Sequence, residues 1–220
     1  MIAYFVSTAV IIVVGLVVAQ LVSGKKRARL SALAAAHGWV YAKTSRELPG
    51  QPSAREFGSG IPAAVGTPRD IMMGRRGNDT FFAFTAGTQG DSSSRPEYGV
   101  VKLHLSAVLP GITLTREGVG TSIAKFFGGQ DLQIGEPYFD AAYRIQADDP
   151  VYAQTLLNHD VRAWFMAPGR WNHFTISGNI MMIWREYGLE YETLPWVLAD
   201  LEDLLGRIGP DVWGAWSHRL

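Results

Sequence analysis

The chain begins with a long apolar run that has no polar face. Residues 1–24 read MIAYFVSTAVIIVVGLVVAQLVSG and contain no charged side chain. At a rise of 1.5 Å per residue, about 22 helical residues span roughly 33 Å, which matches the hydrocarbon core of a bilayer. A secretory signal would place its basic segment before the apolar run, whereas here the basic cluster follows it. We therefore predict that residues 1–24 form a retained transmembrane helix.

Four basic residues follow this run, and they predict the orientation of the chain. They are Lys25, Lys26, Arg27 and Arg29, and no acidic residue precedes Arg29. Basic residues that flank a membrane helix favour the cytoplasmic side. We expect a single-pass protein of the plasma membrane with its N-terminus outside and its C-terminal domain in the cytoplasm. Because each basic residue near anionic headgroups contributes about 1 kcal/mol, these four are the candidate membrane-surface contacts.

The next residues have the spacing of a short amphipathic helix. Within 28–41, Leu30, Leu33, Ala34 and His37 fall on one face, and Gly38 is placed to end the helix. We assign 25–43 to a basic juxtamembrane neck and 44–220 to one globular domain. Residues 44–68 contain four prolines among glycine and serine, and we expect them to form a long irregular connection.

Alternating apolar and polar residues predict that the domain is built on a mainly antiparallel sheet. Apolar runs on either side of turn residues predict two hairpins, centred on Gly77–Asp79 and on Ser177–Asn179. Residues 97–109 alternate like a strand, residues 111–117 suggest a further short strand, and the stretch from Phe139 to Ile145 also alternates.

Helices are predicted among and after these strands. Asp148 or Asp149 can cap a helix that starts at Pro150, and the stretch 193–209 forms an amphipathic helix that stops before Pro210. Strands and helices do not alternate regularly, as they would in a dinucleotide-binding fold. The prediction is an α+β domain with helices packed on one face or end of the sheet.

Composition removes several classes of function. The chain has no cysteine, so it can have no disulfide, no thiolate nucleophile and no cysteine-based metal site. The formal net charge is zero, but 16 basic and 20 acidic residues remain after the first 30 residues are set aside. An acidic domain without a basic stripe argues against a nucleic-acid partner.

No group of residues reaches the standard of a catalytic, cofactor or metal site. The five histidines share no motif, and His159-Asp160 is most simply read as part of a helix end. Asp148-Asp149 has the position of a helix cap, and the GxGxxA string at 58–63 has a proline where a phosphate-binding helix would start. Trp213 and Trp216 near the C-terminus either pack back on the domain or lie at the lipid interface.

Three stretches of the chain carry a resemblance. RLSALAAAHGWVY follows the apolar run, a hairpin occupies 71–86, and YFDAAYRIQADDPVYAQTLL occupies 138–157. In this order they resemble a family of uncharacterised single-pass membrane proteins of high-GC Gram-positive (actinobacterial) bacteria. The resemblance implies the same architecture. It implies no activity, because none is established for that family.

We expect a non-enzymatic accessory or scaffold domain that binds another protein at the membrane and needs no cofactor. An alternative is a domain that binds a lipid or another apolar ligand, which the phenylalanines Phe81, Phe82, Phe84, Phe126 and Phe127 would favour. A third hypothesis is an unrecognised hydrolase, which would need His159, Asp160 or His173 beside a nucleophile or carboxylate in a cleft.

Overall fold

A strongly coiled antiparallel sheet forms the centre of the protein. The computed structural model describes residues 23–48, 67–77, 79–87, 97–116, 131–171 and 173–219. Its strands in these ranges are β1 (Val40–Thr44), β2 (Arg69–Arg76), β3 (Asp79–Gly87), β4 (Glu97–Arg116), β5 (Tyr143–Ala147), β6 (His173–Glu186) and β7 (His218–Arg219). They follow the order β1-β2-β3-β4-β5, and β6 and β7 also pair with β4. Every pair of strands is antiparallel, as predicted.

The helices pack on one face of this sheet. They are α1 over 23–36, α2 (Pro137–Ala142), α3 (Pro150–Leu156), α4 (His159–Met166), α5 (Leu194–Arg207) and α6 (Pro210–Ala215), with 3-10 turns at Ser45–Glu47 and Tyr191–Thr193. Their buried side chains, such as Leu30, Tyr152 and Leu201, share one apolar cluster with Phe81 and Leu114 of the sheet. The predicted α+β class with helices on one face is confirmed for the described elements.

The long strands β4 and β6 form a continuous ribbon, which corrects two predictions. Residues 97–116 are one strand that runs through Pro110, where we expected two strands. Residues 173–186 are likewise one strand, where we expected a hairpin at Ser177–Asn179. Gly178 has a left-handed φ of 62°, but it marks a bend and no reversal, because β6 pairs with β4 on both sides of it. A glycine turn signal can therefore mark a bend in a paired ribbon as well as a reversal of the chain.

The bend brings the two ends of β6 together. The rings of His173 and Trp184 stack with their centres 5.3 Å apart, although eleven residues of straight strand would separate them by about 36 Å. The face away from the helices is thus concave. It buries an apolar group that includes Phe84, Val100 and Trp184, and beside it the polar residues Lys102, Thr113, Thr115, Gln146, His173 and Thr175.

Several local predictions are confirmed and one is wrong. The hairpin of β2 and β3 turns at Gly77, which has a φ of 58°. Asp149 caps α3 by accepting hydrogen bonds from the backbone N–H groups of Val151 and Tyr152. The stretch from Phe139 to Ile145, however, is a strand only from Tyr143 onward. Pro137 starts a short helix there, since proline fits the first helical turn.

The predicted transmembrane run lies outside the described residues except for 23 and 24. No helix in the described part of the chain is long and apolar enough to cross a membrane.

Candidate functional site

The basic residues that follow the apolar run lie in the first two turns of α1, and three of them reach back to the domain. Lys26 Nζ lies 2.6 Å from Asp70 Oδ2, Arg27 Nη2 lies 3.1 Å from Glu47 Oε2, and Arg29 Nη2 lies 2.6 Å from Glu192 Oε1. Among the described residues, Lys25 forms no ion pair. All four side chains stay at the surface. Their contact with a membrane surface remains a prediction, since pairing with the domain does not prevent it.

Asp70 is the residue that ties α1 to the sheet most firmly. It is 8% exposed and accepts a hydrogen bond from Lys26 and one of 2.7 Å from the Tyr41 hydroxyl. These partners hold the pKa of Asp70 below its usual value, although burial alone would raise it. Burial and the neighbouring carboxylate raise the pKa of Tyr41. The pairing of β2 with β3 is irregular at Asp70, which has a left-handed φ of 52°. This backbone conformation directs the Asp70 side chain toward α1.

Apolar contacts fix α1 along the rest of its length. Leu30 and Ala34 are buried in the helix-side cluster, and Leu33 packs against the same cluster. After the turn at Gly38, the Trp39 ring lies edge-on to Phe81, with ring centres 5.1 Å apart. The helix that directly follows the predicted span is therefore part of the domain, and not a loose tether.

Antiparallel pairing shows which parts of the sheet lie beside the start of α1. Asp70 is at the start of β2, whose neighbour Arg69 pairs with Thr85 at the end of β3. Thr85 pairs with Gly99 at the start of β4, and Gly99 pairs with Arg185 at the end of β6. We call this end of the sheet the neck end. The hairpin at Gly77 lies at the far end.

A cleft of about 420 Å³ opens at the neck end, which we call the arginine cleft. Three arginines line it, together with an aromatic pair and two glutamates: Arg116, Arg170, Arg185, Trp171, Tyr187, Glu186 and Glu190. The Arg185 guanidinium lies 5.1 Å from the centre of the Trp171 ring, and that of Arg170 lies 4.8 Å from Trp164. Such stacking orients the plane of a guanidinium and leaves its N–H edge available.

The carboxylates that face Arg170 and Arg185 occupy only part of the donor capacity of these two arginines. Arg170 forms an ion pair with Asp200 of α5. Arg185 Nη2 is 3.8 Å from Glu190 Oε1, which is beyond hydrogen-bond length, and the Glu190 side chain is 74% exposed. A guanidinium has five N–H donors, so the cleft can still bind an anion.

Two large aromatic side chains, those of Tyr187 and Trp196, project into solvent, and Tyr187 lines the cleft. Tyr187 is 91% exposed and has a φ of 77°, a conformation that is unfavourable for a residue with a side chain. Trp196 is 76% exposed and lies on α5, one turn after Glu192 and one turn before Asp200. It is thus placed between the ion pair of α1 and the ion pair of the arginine cleft.

The three residues named in the hydrolase hypothesis lie in two different places. His159 and Asp160 start α4, whose cap is Asn158, whereas His173 is 2% exposed on the concave face. Desolvation lowers the pKa of His173 to about 4. No group of His, Asp and Glu among the described residues could hold a metal ion.

Of the phenylalanines proposed for an apolar ligand, the described ones lie on two different faces of the sheet. Phe81 belongs to the helix-side cluster and Phe84 to the concave face, while 126 and 127 lie outside the described residues. A second cleft of about 340 Å³ lies at the far end of the sheet, with Leu105, Leu205 and Trp213 in its wall. Trp213 and Trp216 pack back on the domain, the first donating a hydrogen bond to the Ile208 carbonyl.

Sequence reasoning missed the arginine cleft and its aromatic rim. The only signal for Trp196 was its position on the polar side of α5, out of phase with Leu194, Val197 and Leu198. The three arginines lie on separate strands and a loop, and nothing in their spacing suggests that they meet.

Comparisons with known proteins show a distant structural relative. No protein-family model matches the chain, and no curated protein matches it. The fold is similar to the crystal structure of the mycobacterial trehalose monomycolate transport factor A, TtfA. The TM-score is 0.54 and the sequences are 14% identical, and the match covers 82% of this chain and 93% of that one. At this identity the similarity shows the fold alone.

Proposed function

We propose that this protein is a membrane-anchored accessory factor, without enzymatic activity, whose domain binds another protein of the same membrane. The observation that carries the proposal is the docking of α1 on the domain through Leu30, Ala34 and the three ion pairs. A domain fixed to the helix that follows its own anchor presents one surface to its membrane neighbours, which is what a scaffold requires.

The name of the structural relative agrees with this role. TtfA is described as a transport factor, which is compatible with an accessory part in a membrane process. The proposed topology has the N-terminus outside and the domain in the cytoplasm, and it follows from Lys25, Lys26, Arg27 and Arg29 after the apolar run. A reporter fused to the C-terminus tests this topology, and activity only outside the cytoplasm would contradict it.

Purification of the full chain from solubilised membranes tests the accessory role. We expect one membrane protein to be recovered in a fixed ratio to the chain. The matched variant has a flexible Gly-Ser segment inserted between Gly24 and Lys25, which leaves the ion pairs intact but uncouples the domain from its anchor. We expect recovery of the partner to fall in this variant. Repeated recovery of the chain alone would overturn the proposal.

One observation keeps an apolar ligand as a second candidate. The far-end cleft is lined by Leu105, Leu205 and Trp213 together with Asp79 and Ser106, and its volume of about 340 Å³ is within the range of small-molecule sites. Extraction of the purified protein with organic solvent should then release a ligand whose recovery falls in the variant Leu205→Gln. Equal recovery from both proteins would count against this candidate.

A further inference from the structure

The start of α1 determines which side of the domain faces the membrane. α1 begins at the neck end of the sheet, where Lys26 contacts Asp70, and it runs toward the far end, where Trp39 approaches Gly74. α5 runs the same way, because Glu192 before it contacts Arg29 and Glu202 within it contacts Arg76 beside the far hairpin. If the membrane run ends at Gly24, the neck end is the end nearest to the bilayer.

The arginine cleft lies within reach of that bilayer. Arg29 is five residues beyond Gly24, which corresponds to about 7.5 Å along the helix axis. Glu192 contacts Arg29, and Glu190 at the rim of the cleft is two residues away from Glu192. The polar headgroup layer is about 5–8 Å thick on each side of the hydrocarbon. The rim of the cleft therefore lies close to the depth of the headgroups.

The rim also has an aromatic side chain of the kind that membrane interfaces favour. Tyr187 is largely exposed, and amphipathic rings of this type are enriched at the headgroup level. Tyr187 is held outward in a left-handed conformation, because the N–H of Gly188 donates a hydrogen bond to the Glu97 carbonyl. The backbone strain at Tyr187 therefore accompanies a large aromatic side chain that projects into solvent. Contact of this ring with the membrane interface would offset the free-energy cost of the strain.

We propose that the arginine cleft binds the phosphate of an anionic lipid headgroup from the membrane in which the chain is anchored. Arg185 donates to the phosphate oxygens in a cleft that Arg116 also lines, and Tyr187 lies at the level of the headgroups. Arg170 keeps its pair with Asp200 and borders the site, while Glu186 and Glu190 remain toward water. The proposal rests on the membrane anchorage of the proposed function, but not on a protein partner.

Amide hydrogen exchange of the full chain in lipid nanodiscs tests this site. Discs of phosphatidylcholine alone are compared with discs containing equal parts of phosphatidylcholine and phosphatidylglycerol. We expect exchange in 185–191 to slow about tenfold in the anionic discs, which corresponds to about 1.4 kcal/mol. Equal exchange in both discs would overturn the proposal. Inorganic phosphate added to the neutral discs should not reproduce the slowing, and if it does, the site binds free phosphate and no lipid.

A matched pair of variants separates the cleft from general surface charge. Arg185→Gln removes an arginine of the cleft, and Arg76→Gln removes an arginine at the far end of the sheet. Both face a glutamate, and their side-chain exposures are similar, 33% for Arg185 and 38% for Arg76. We expect only Arg185→Gln to lose the slowing. Loss in both variants would show unspecific attraction and refute the site. Thermal unfolding of each variant verifies that it is folded.

Quenching by lipids brominated near the headgroup gives a second measurement. The difference in quenching between Tyr187→Trp and the unchanged chain reports the depth of residue 187, and we expect that difference to be larger in anionic discs. No difference would overturn the placement of Tyr187 at the headgroups. If exchange is equal in both kinds of disc but the protein partner is still recovered, only the lipid inference is refuted. If the chain does not embed in discs, the membrane anchorage is refuted, and both proposals depend on it.

Discussion

Lys26 Nζ lies 2.6 Å from Asp70 Oδ2, and the aspartate is far less exposed than the lysine, with side-chain exposures of 12% and 55%. The contact joins the first turn of α1 to the first residues of β2, across 44 positions of sequence. A basic residue that the sequence assigns to the membrane surface is therefore also a structural part of the domain. The orientation of the domain relative to its predicted anchor depends on this contact.

Replacement of Asp70 by Asn should lower the free energy of unfolding by about 1–3 kcal/mol, because two hydrogen bonds to a buried carboxylate are weakened. Asparagine is the informative choice, since it keeps the size of the side chain and tolerates the φ of 52°. Urea denaturation measures the change. The control Asp203→Asn, at an exposed helical pair with Arg207, should cost less than 1 kcal/mol.

The same aspartate should make the protein sensitive to acid. Its folded-state pKa is lowered, so the unfolded chain binds a proton at higher pH than the folded chain does. The stabilisation is complete above the unfolded pKa of about 4 and is lost as the pH falls through the folded value. Denaturation of the wild type and of Asp70→Asn below pH 4 should show a steeper loss in the wild type. Parallel curves would contradict the assignment.

His173 should produce a second pH dependence, at higher pH. Burial lowers its pKa from 6.5 to about 4, so the stability it contributes is complete above pH 6.5 and falls between these two values, by up to about 3 kcal/mol. His173→Phe keeps an aromatic ring against Trp184 and should flatten this part of the profile. Equal profiles for the wild type and His173→Phe would contradict the assignment.

Gly99 should not accept a side chain. A Cβ at this position would lie 2.3 Å from the carbonyl oxygen of Gly188, and that backbone follows Tyr187 at the arginine cleft. Gly99→Ala should lower stability by about 1–3 kcal/mol and speed amide exchange in 186–190. The control is Gly87→Ala in the neighbouring strand, where a Cβ meets nothing within 4 Å. Equal effects of both substitutions would show that the close approach is unimportant.

Tyr187→Gly should be neutral or should stabilise the protein by up to about 1 kcal/mol. Glycine adopts the left-handed conformation without the steric cost that tyrosine has there. We expect this gain to outweigh the stability lost because glycine increases the entropy of the unfolded chain. The tyrosine ring is too exposed for its removal to cost much packing energy. Denaturation with urea measures this difference. A loss of more than 1 kcal/mol would mean that the tyrosine ring packs on the domain.

Local signals predicted those elements whose cause is local. Asp149 and Pro150 predicted the start of α3, Gly77 predicted a hairpin, and the apolar phase of 193–209 predicted α5. The failures have a common cause. Gly178 and Pro110 mark bends in a paired ribbon, and a bend and a reversal have the same local signal unless the partner strand is known. In the same way, alternation from Phe139 to Ile145 concealed the helix that Pro137 begins.

The sequence by itself determined the α+β class, the packing of helices on one side of the sheet, and the contrast in charge between a basic neck and an acidic domain. These features follow from composition and periodicity, which are properties of neighbouring residues. Only the tertiary structure decided that Lys26, Arg27 and Arg29 bind the domain, and that Arg116, Arg170 and Arg185 meet in one cleft. These contacts join residues far apart in sequence. Their geometry depends on strand register and on the coiling of the sheet, which no local pattern specifies.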